Sequence, residues 1–439
     1  MEKKELLEIL QDWNFWKKEL DTGKERKEYL KQANRLVKSK IIIAIIGVRR
    51  SGKSYLMRQV IKKLIEEKKE RKNVLFVNFE DKRFAEFYPK LLDEIYETYL
   101  EFLKPSGKPL ILLDEVHNIP KWERWVRTMQ ELDKAKIVIS GSSSKLLAGE
   151  LATVLTGRHL DIFVFPLTFK EFLYFKNLEI KDNLDMITKK TEIKRLLSEY
   201  IEFGGFPEVV LGEEKKQLLL TYFDDILTKD IEKRYKLRKS EKLRALVRFY
   251  LTNISNTITF NSIKKFLDVT TNTTEKFSSY LEEANMIFFV KRFSYKIKEQ
   301  EKAPRKVYSI DSGLANAVGF KFSSNLGHSA ENIVAIELKK KGTANPNLEI
   351  YYWQDLQHEV DFVLKEVKVK QLIQVCWNIE EYKTRERELK ALLKASKKLK
   401  CKNLLVITAD YEREEKIKSK NRTYKIKFIP LWEWLLEQK

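Results

Sequence analysis

A chain of 439 residues exceeds one ordinary domain, and with 43% hydrophobic and 34% charged residues it reads as two to four globular units rather than a disordered chain. Its longest apolar runs are strand-length, which excludes a membrane span, and "MEKKELLEILQDWNFW" lacks the pattern of a secretory signal, so the expected location is the cytoplasm. Two cysteines without metal-type spacing, Cys376 and Cys401, argue against a disulfide framework or a zinc site, and a net charge of +21 favours a polyanionic partner over a Lys- and Glu-rich surface of thermophilic style.

Residues 1–40 read as an N-terminal helical segment. After them "KIIIAIIG" is a β-branched apolar run ending in Gly47, and "SYLMRQVIKKLIEE" has helical periodicity through Leu56, Val60, Ile61 and Leu64. Between strand and helix stands "GVRRSGKSYL", which satisfies G-x-x-x-x-G-K-[ST] through Gly47, Gly52, Lys53 and Ser54. Glycines there let backbone N–H groups close around phosphate oxygens, Lys53 reaches the β and γ phosphates, and Ser54 ligates magnesium. Gly47, Arg49, Arg50, Ser51, Gly52, Lys53, Ser54 and Tyr55 form the expected nucleotide-binding set. Arg49 and Arg50 stand open to phosphate, DNA or a neighbouring subunit.

A phosphate loop needs carboxylates at the same sheet edge, and "KPLILLDEVHNI" supplies them. Asp114, behind four apolar residues, suits the group that holds magnesium through its water shell; Glu115 suits the base that polarises the attacking water. The next strand, "AKIVISGSSSKLL", ends in Ser140, Gly141, Ser142, Ser143 and Ser144. Ser142 is the expected γ-phosphate sensor, and the same serines suit the cap of a helix over "KLLAGEL". "VLFVNFED" and "IFVFPL" add two more strands, and strands alternating with helices imply a parallel sheet covered on both faces.

In this order "GVRRSGKS", "VNFED", "LILLDEVHNIPKWERWVR", "ISGSSSKLL", "LTGR" and "FPLTFKEFL" resemble a large group of prokaryotic, archaeal-type AAA ATPases that pair the motor with a C-terminal endonuclease-like domain. The likeness covers nearly the whole chain. It implies ATP as the nucleotide, and Arg158 of "LTGR" near the γ-phosphate, supplied in trans by a neighbour in a homo-oligomer, a hexameric ring. An arginine finger can be worth about 10³ or more in rate; the alternative for Arg158 is a surface or lid ion pair. Residues 41–168 would then be the P-loop core, and the helical stretches within 169–236, with "FGGFPEVV" between two of them, the lid.

Within 237–312, "SEKLRALVRFYLTNI", "FNSIKKFLDV" and "TNTTEKFSSYLEEAN" read as three amphipathic helices, and "MIFFVKRFSYKIKEQEKAPRKVYSID" as two strands joined by a basic loop. Three helices and a wing suit DNA docking, with Asn272, Thr273, Thr274 and Lys276 toward a groove and Lys296, Lys298, Lys302, Arg305 and Lys306 toward phosphates. The same shape also serves as a protein-packing module.

Residues 313–439 resemble restriction-endonuclease-like (PD-(D/E)xK) domains: a helix with Glu331, a hairpin with Asp361, then the strand "KQLIQVCW". That resemblance implies a magnesium site at Glu331 and Asp361. The strand departs from the pattern, reading Gln374, Val375, Cys376 where Glu-x-Lys is expected. Gln is a poorer magnesium ligand and a thiol a poor substitute for ammonium, so the domain reads as degenerate, with Lys368 or Lys370 as replacement lysines if cleavage is retained.

The expected fold class is therefore α/β: a P-loop parallel-sheet AAA-type ATPase core with helical lid, winged helix and C-terminal α/β endonuclease-like domain. The expected function is ATP hydrolysis with Mg2+ on or with DNA, with no membrane involved. An ATP-gated DNA nuclease, or a nucleotide-dependent switch binding a protein partner, are the alternatives.

Overall fold

The computed structural model describes residues 1–142, 157–237, 240–320, 326–419 and 422–438. They form two compact units, Met1–Phe165 and Pro166–Lys439. The helix expected over "KLLAGEL", with Ser143 and Ser144, lies outside the described residues.

The first unit opens with helices α1 (Lys3–Trp13) and α2 (Lys27–Val37), then strand β1 (Ile42–Ile46), α3 (Lys53–Glu66), β2 (Val74–Asn78), α4 (Leu91–Leu103), β3 (Leu110–Asp114), α5 (Trp122–Glu131), β4 (Lys136–Gly141) and β5 (His159–Phe163). The five strands make one parallel sheet in the order β2-β3-β4-β1-β5. Strand side chains alternate with period two, and both faces are apolar. Ile42, Ala44 and Ile46 enter a core with Leu75, Val77, Ile111 and Leu113, covered by Leu6, Ile9 and Leu10 of α1 and by apolar residues of α4 and α5. Ile43 and Ile45 enter a second core with Phe76 and Leu112, covered by Tyr29, Leu30 and Ala33 of α2 and by Leu56, Met57 and Val60 of α3. The segment ahead of β1 thus sends one helix to each face of the sheet. Because all strands run the same way, the C-terminal ends of β1, β3 and β4 lie side by side at one edge.

The second unit begins with a helical stretch that includes α6 (Phe169–Phe175), α7 (Lys190–Phe203) and α8 (Lys215–Asp225). Thr168 and Glu171 form a capping box that starts α6. Next come α9 (Ser240–Thr252), β6 (Thr257–Ile258), α10 (Phe260–Leu267), α11 (Thr271–Glu283), β7 (Ile287–Arg292), β8 (Arg305–Ser309) and α12 (Ser312–Val318). The chain ends with α13 (Leu326–Ala344), β9 (Glu349–Gln354), β10 (Glu359–Lys365), β11 (Val369–Cys376), α14 (Tyr382–Leu399), β12 (Leu404–Thr408), β13 (Arg413–Ser419), β14 (Arg422–Pro430) and α15 (Leu431–Glu437).

One mixed sheet runs through this unit in the order β13-β14-β12-β11-β10-β9-β7-β8-β6. Parallel pairing of β7 with β9, Lys291 opposite Tyr351 and Arg292 opposite Tyr352, carries the sheet across the boundary expected at 312. The basic loop between β7 and β8 contains a short helix, Ile297–Lys302. Asp311 joins distant parts of the unit: its carboxylate accepts the Gly205 N–H at 2.7 Å and the Leu314 N–H at 3.0 Å, and so fixes the "FGG" turn against the start of α12. Among the described residues no helix is long and apolar enough to cross a membrane.

Candidate active site

The loop after β1 is shaped by its glycines. Gly47 has φ +147°, and a Cβ there would lie 2.2 Å from the Val164 carbonyl oxygen, so the close approach of β5 requires glycine. Gly52, at φ 96°, is the N-cap of α3, and Lys53 is its first residue. The Lys53 ammonium donates to the Gly47 and Val48 carbonyls at 3.2 and 3.3 Å and sits 3.6 Å from Glu115 Oε1. Ser51 Oγ is buried without a hydrogen-bond partner among the described residues. A strand end, a helix N-terminus, a lysine and an orphaned hydroxyl together suit a phosphate chain.

Asp114 ends β3, and Ser140 of β4 stands beside it because Leu113 and Ile139 are paired in register. Ser140 Oγ donates to Asp114 Oδ1 and accepts the Glu115 N–H at 3.0 Å. Burial raises the Asp114 pKa, as does the Glu115 charge; hydrogen bonds from Ser140 and Ser54 and the charge of Lys53 oppose the rise. Burial works on Glu115 in the same sense, but Lys53, His117, Arg49 and the Ser142 N–H outweigh it and hold its carboxyl below the ordinary range. Glu115 itself adopts φ 53°, a left-handed conformation that costs a non-glycine residue about 1–3 kcal/mol and is stored most often at functional sites.

Of the expected set, Gly47, Ser51, Gly52, Lys53, Ser54, Asp114 and Glu115 come together at this edge. Arg49 pairs with Glu80, Arg50 is exposed at φ 68°, and Tyr55 is exposed beneath the Arg58 guanidinium. Ser142 reaches Glu115 through its backbone N–H.

Arg158 lies elsewhere. It precedes β5, which pairs with β1 from Ile42 opposite His159 to Ile46 opposite Phe163, whereas the phosphate loop follows β1. Five residues at about 3.3 Å separate the two ends by about 16 Å, and Arg158 is ion-paired with Glu131 at the end of α5. Within one chain it does not approach its own phosphate loop.

Two contributors were not marked by the sequence. Ser140 was one of four serines in the run after β4's apolar residues, and only strand adjacency distinguishes it. Arg26, from the loop before α2, is buried and donates to the Ser51 carbonyl at 3.0 Å and the Phe165 carbonyl at 2.7 Å, bracing the phosphate loop from the N-terminal segment.

In the second unit, Lys276, Lys296, Lys298 and Lys302 are exposed, Asn272 is exposed, and Thr273 is partly so. Arg305 is half-buried over the Phe260 ring. Two expectations are corrected. Thr274 is buried, its hydroxyl donating to the Thr270 carbonyl, because it lies on the inner face of α11. Lys306 faces the interior instead of a phosphate: it is 1% exposed and pairs with Glu331, Glu359 and Asp361 at 2.9, 2.6 and 2.8 Å. Lys370, a proposed replacement lysine, is instead paired with Glu366. Cys376 is buried, and burial pushes its thiol up to about 12, so it remains a neutral apolar residue near neutral pH.

An uncharacterized protein of Methanocaldococcus jannaschii, MJ1544, is 36% identical over 415 residues, spanning 92% of this chain and 89% of the relative. The chain belongs to the same family as MJ1544. Another member, an uncharacterized protein of Haemophilus influenzae, is 30% identical over 94% of this chain and 98% of its own. In this MJ1544-family chain, residues 39–173 match the AAA domain family, and residues 194–327 and 326–434 match two domains of unknown function, DUF8612 and DUF4143. A Walker-type ATPase of Pyrococcus abyssi has 15% sequence identity and a TM-score of 0.45, covering 67% of this chain and 95% of that one. The first unit of the MJ1544-family chain is an AAA-type P-loop ATPase fold.

Proposed function

We propose that this chain is a Mg2+-dependent ATP hydrolase that works on or with DNA as a homo-oligomer. The observation that carries the reading is the meeting of the phosphate loop with the end of β3 at one edge of the parallel sheet, where the Lys53 ammonium lies 3.6 Å from Glu115, the residue after Asp114.

Ser54 and Asp114 are the residues that would hold magnesium. One hydroxyl and one carboxylate, with the remaining positions left to phosphate and water oxygens, suit that ion. Bound magnesium supplies positive charge beside the β and γ phosphates. When nucleotide enters, the Lys53 ammonium turns from the Gly47 and Val48 carbonyls and from Glu115 to phosphate oxygens. Glu115, held charged, then orients a water and takes its proton. Arg158, with a side chain 39% exposed, is suited to reach a neighbouring subunit, as a hexameric ring would require. A cytoplasmic location accords with ATP as substrate and with two buried free thiols.

For DNA, the support is the succession α9, β6, α10, α11, β7, loop, β8, which is that of a winged helix, together with exposed Lys276, Lys296, Lys298 and Lys302 and the +21 net charge. The test is the ATPase rate of the full chain with single-stranded, duplex and four-way-junction DNA. Stimulation by one of them, weakened when Lys296, Lys298 and Lys302 are changed to Ala, is the expected result. No stimulation and no DNA binding at physiological salt would move the reading to a switch that binds a protein partner.

A further inference from the structure

The C-terminal part of the second unit contains a cleft of 740 Å³ lined by Lys306, Glu331, Glu359, Asp361, Gln374 and Glu388, among others. Its helix acid and hairpin acid stand where the endonuclease-like pattern implies a divalent cation. The donor set does not suit one. Glu331 Oε1 accepts from Lys306 at 2.9 Å and from the Tyr308 hydroxyl at 2.7 Å. Asp361 Oδ1 accepts from Lys306 at 2.8 Å, and its Oδ2 from the Val375 N–H at 2.9 Å. At the position of the third acid, the Gln374 amide donates to Glu388 Oε2 at 2.6 Å. Among the described residues, no group of three or more His, Cys, Asp or Glu is arranged to hold a metal ion.

The lysine has the complementary property. An ammonium has three N–H donors and no acceptor. Lys306 donates to Glu331 and Asp361, is ion-paired with Glu359 as well, and is 1% exposed, so carboxylates surround its ammonium. An ammonium buried among three carboxylates is not presented to a nucleophilic water or a scissile phosphate. The lysine comes from β8, next to the wing loop, and not from the strand where a nuclease of this pattern carries its lysine; Tyr308, two residues on along the same face, reaches the same Glu331. The rest of the lining adds Glu381 and Glu388 against Arg387, so a cleft in a strongly basic chain is itself acidic and repels the DNA backbone.

We propose that the Lys306 ammonium is the resident cation of this cleft: it takes the place of a divalent metal between Glu331, Glu359 and Asp361, so that the cleft neither binds metal nor cuts DNA, and it ties β8 to β10 of the same sheet and to helix α13. This inference is independent of ATP hydrolysis at the phosphate loop.

The test uses the full chain without nucleotide. Mn2+ binding is followed by electron paramagnetic resonance, and plasmid nicking is assayed with Mn2+, for wild type, Asp361→Asn, Lys306→Met and the double variant. Wild type is expected to match Asp361→Asn in both, with no Mn2+ held by the cleft and no nicking. Lys306→Met is expected to gain one Mn2+ per chain that the double variant lacks. Mn2+ binding or nicking by wild type that disappears in Asp361→Asn would overturn the proposal, as would a folded Lys306→Met that gains no Mn2+. If Lys306→Met fails to fold, the comparison of wild type with Asp361→Asn decides alone.

Discussion

The Lys53 ammonium lies 3.6 Å from the Glu115 carboxylate, and both side chains are buried. The lysine thus serves as counter-ion to the Glu115 carboxylate. Removing either charge affects different steps. Lys53→Ala is expected to lose MgATP binding, whereas Glu115→Gln is expected to bind MgATP normally and to hydrolyse it about 10²–10⁴-fold more slowly. A fluorescent-nucleotide titration beside a phosphate-release assay separates the two. Equal loss of binding in both variants would speak against the division of roles.

Gly47→Ala places a methyl group 2.2 Å from the Val164 carbonyl oxygen at a backbone angle that L-residues avoid. Relief would require β1 and β5 to separate, which breaks the sheet beneath the phosphate loop. The expected cost is at least about 3 kcal/mol, read as a lower denaturation midpoint in urea. Gly107→Ala is the control: its Cβ has no neighbour within 4 Å, although its φ is also positive.

Arg26→Ala removes two charged donors from the Ser51 and Phe165 carbonyls. About 2–3 kcal/mol of stability should go with them. Because Ser51 belongs to the phosphate loop, the apparent KM for ATP should rise several-fold while kcat changes less. A stability loss with unchanged KM would confine Arg26 to a packing role.

Arg158 is about a strand's length from its own phosphate loop, so its proposed role requires a second subunit. Arg158→Ala should bind MgATP and fail to hydrolyse it. Mixing it with inactive Lys53→Ala should restore activity, since Lys53→Ala subunits can lend Arg158 to intact phosphate loops. No restoration in a mixed oligomer would reduce Arg158 to its ion pair with Glu131.

Asp311 gives a pH-dependent term. Burial pushes its carboxyl up to about 6, against the backbone N–H bonds from Gly205, Leu314 and Gly313 that favour its charge. An unfolded Asp titrates near 4, so between about pH 4 and 6 the folded chain binds more protons and stability falls as pH rises. Above both values the loss is constant at about 2–3 kcal/mol. Asp311→Asn has no such term, so its stability relative to wild type should improve by that amount between about pH 4 and pH 7. Urea midpoints at the two pH values check this, and a difference that does not change with pH would contradict it.

The phosphate loop and the Asp114-Glu115 pair were legible because each is local: a β-branched strand and a few residues after it carry the chemistry. The apolar strands of the first unit were legible for the same reason. Ser140 was not singled out, because its contact with Asp114 depends on β4 lying beside β3, which no local pattern states. Lys306 was misread because its partners Glu331, Glu359 and Asp361 stand 25 or more residues away, and a lysine in a basic run resembles its neighbours. One local signal existed. Val307 and Tyr308 make β8 apolar on both faces, so a lysine within it needed buried partners. The pairing of β7 with β9, which carries the sheet past residue 312, is likewise non-local and has no signature in either segment.

The most direct test of the account is steady-state phosphate release from ATP by the full chain, with and without Mg2+, beside Glu115→Gln. Release that requires Mg2+ and falls about 10²-fold or more in the variant is the expected result. Release that is equal in the two proteins, or absent from wild type in every condition where it binds nucleotide, would contradict it.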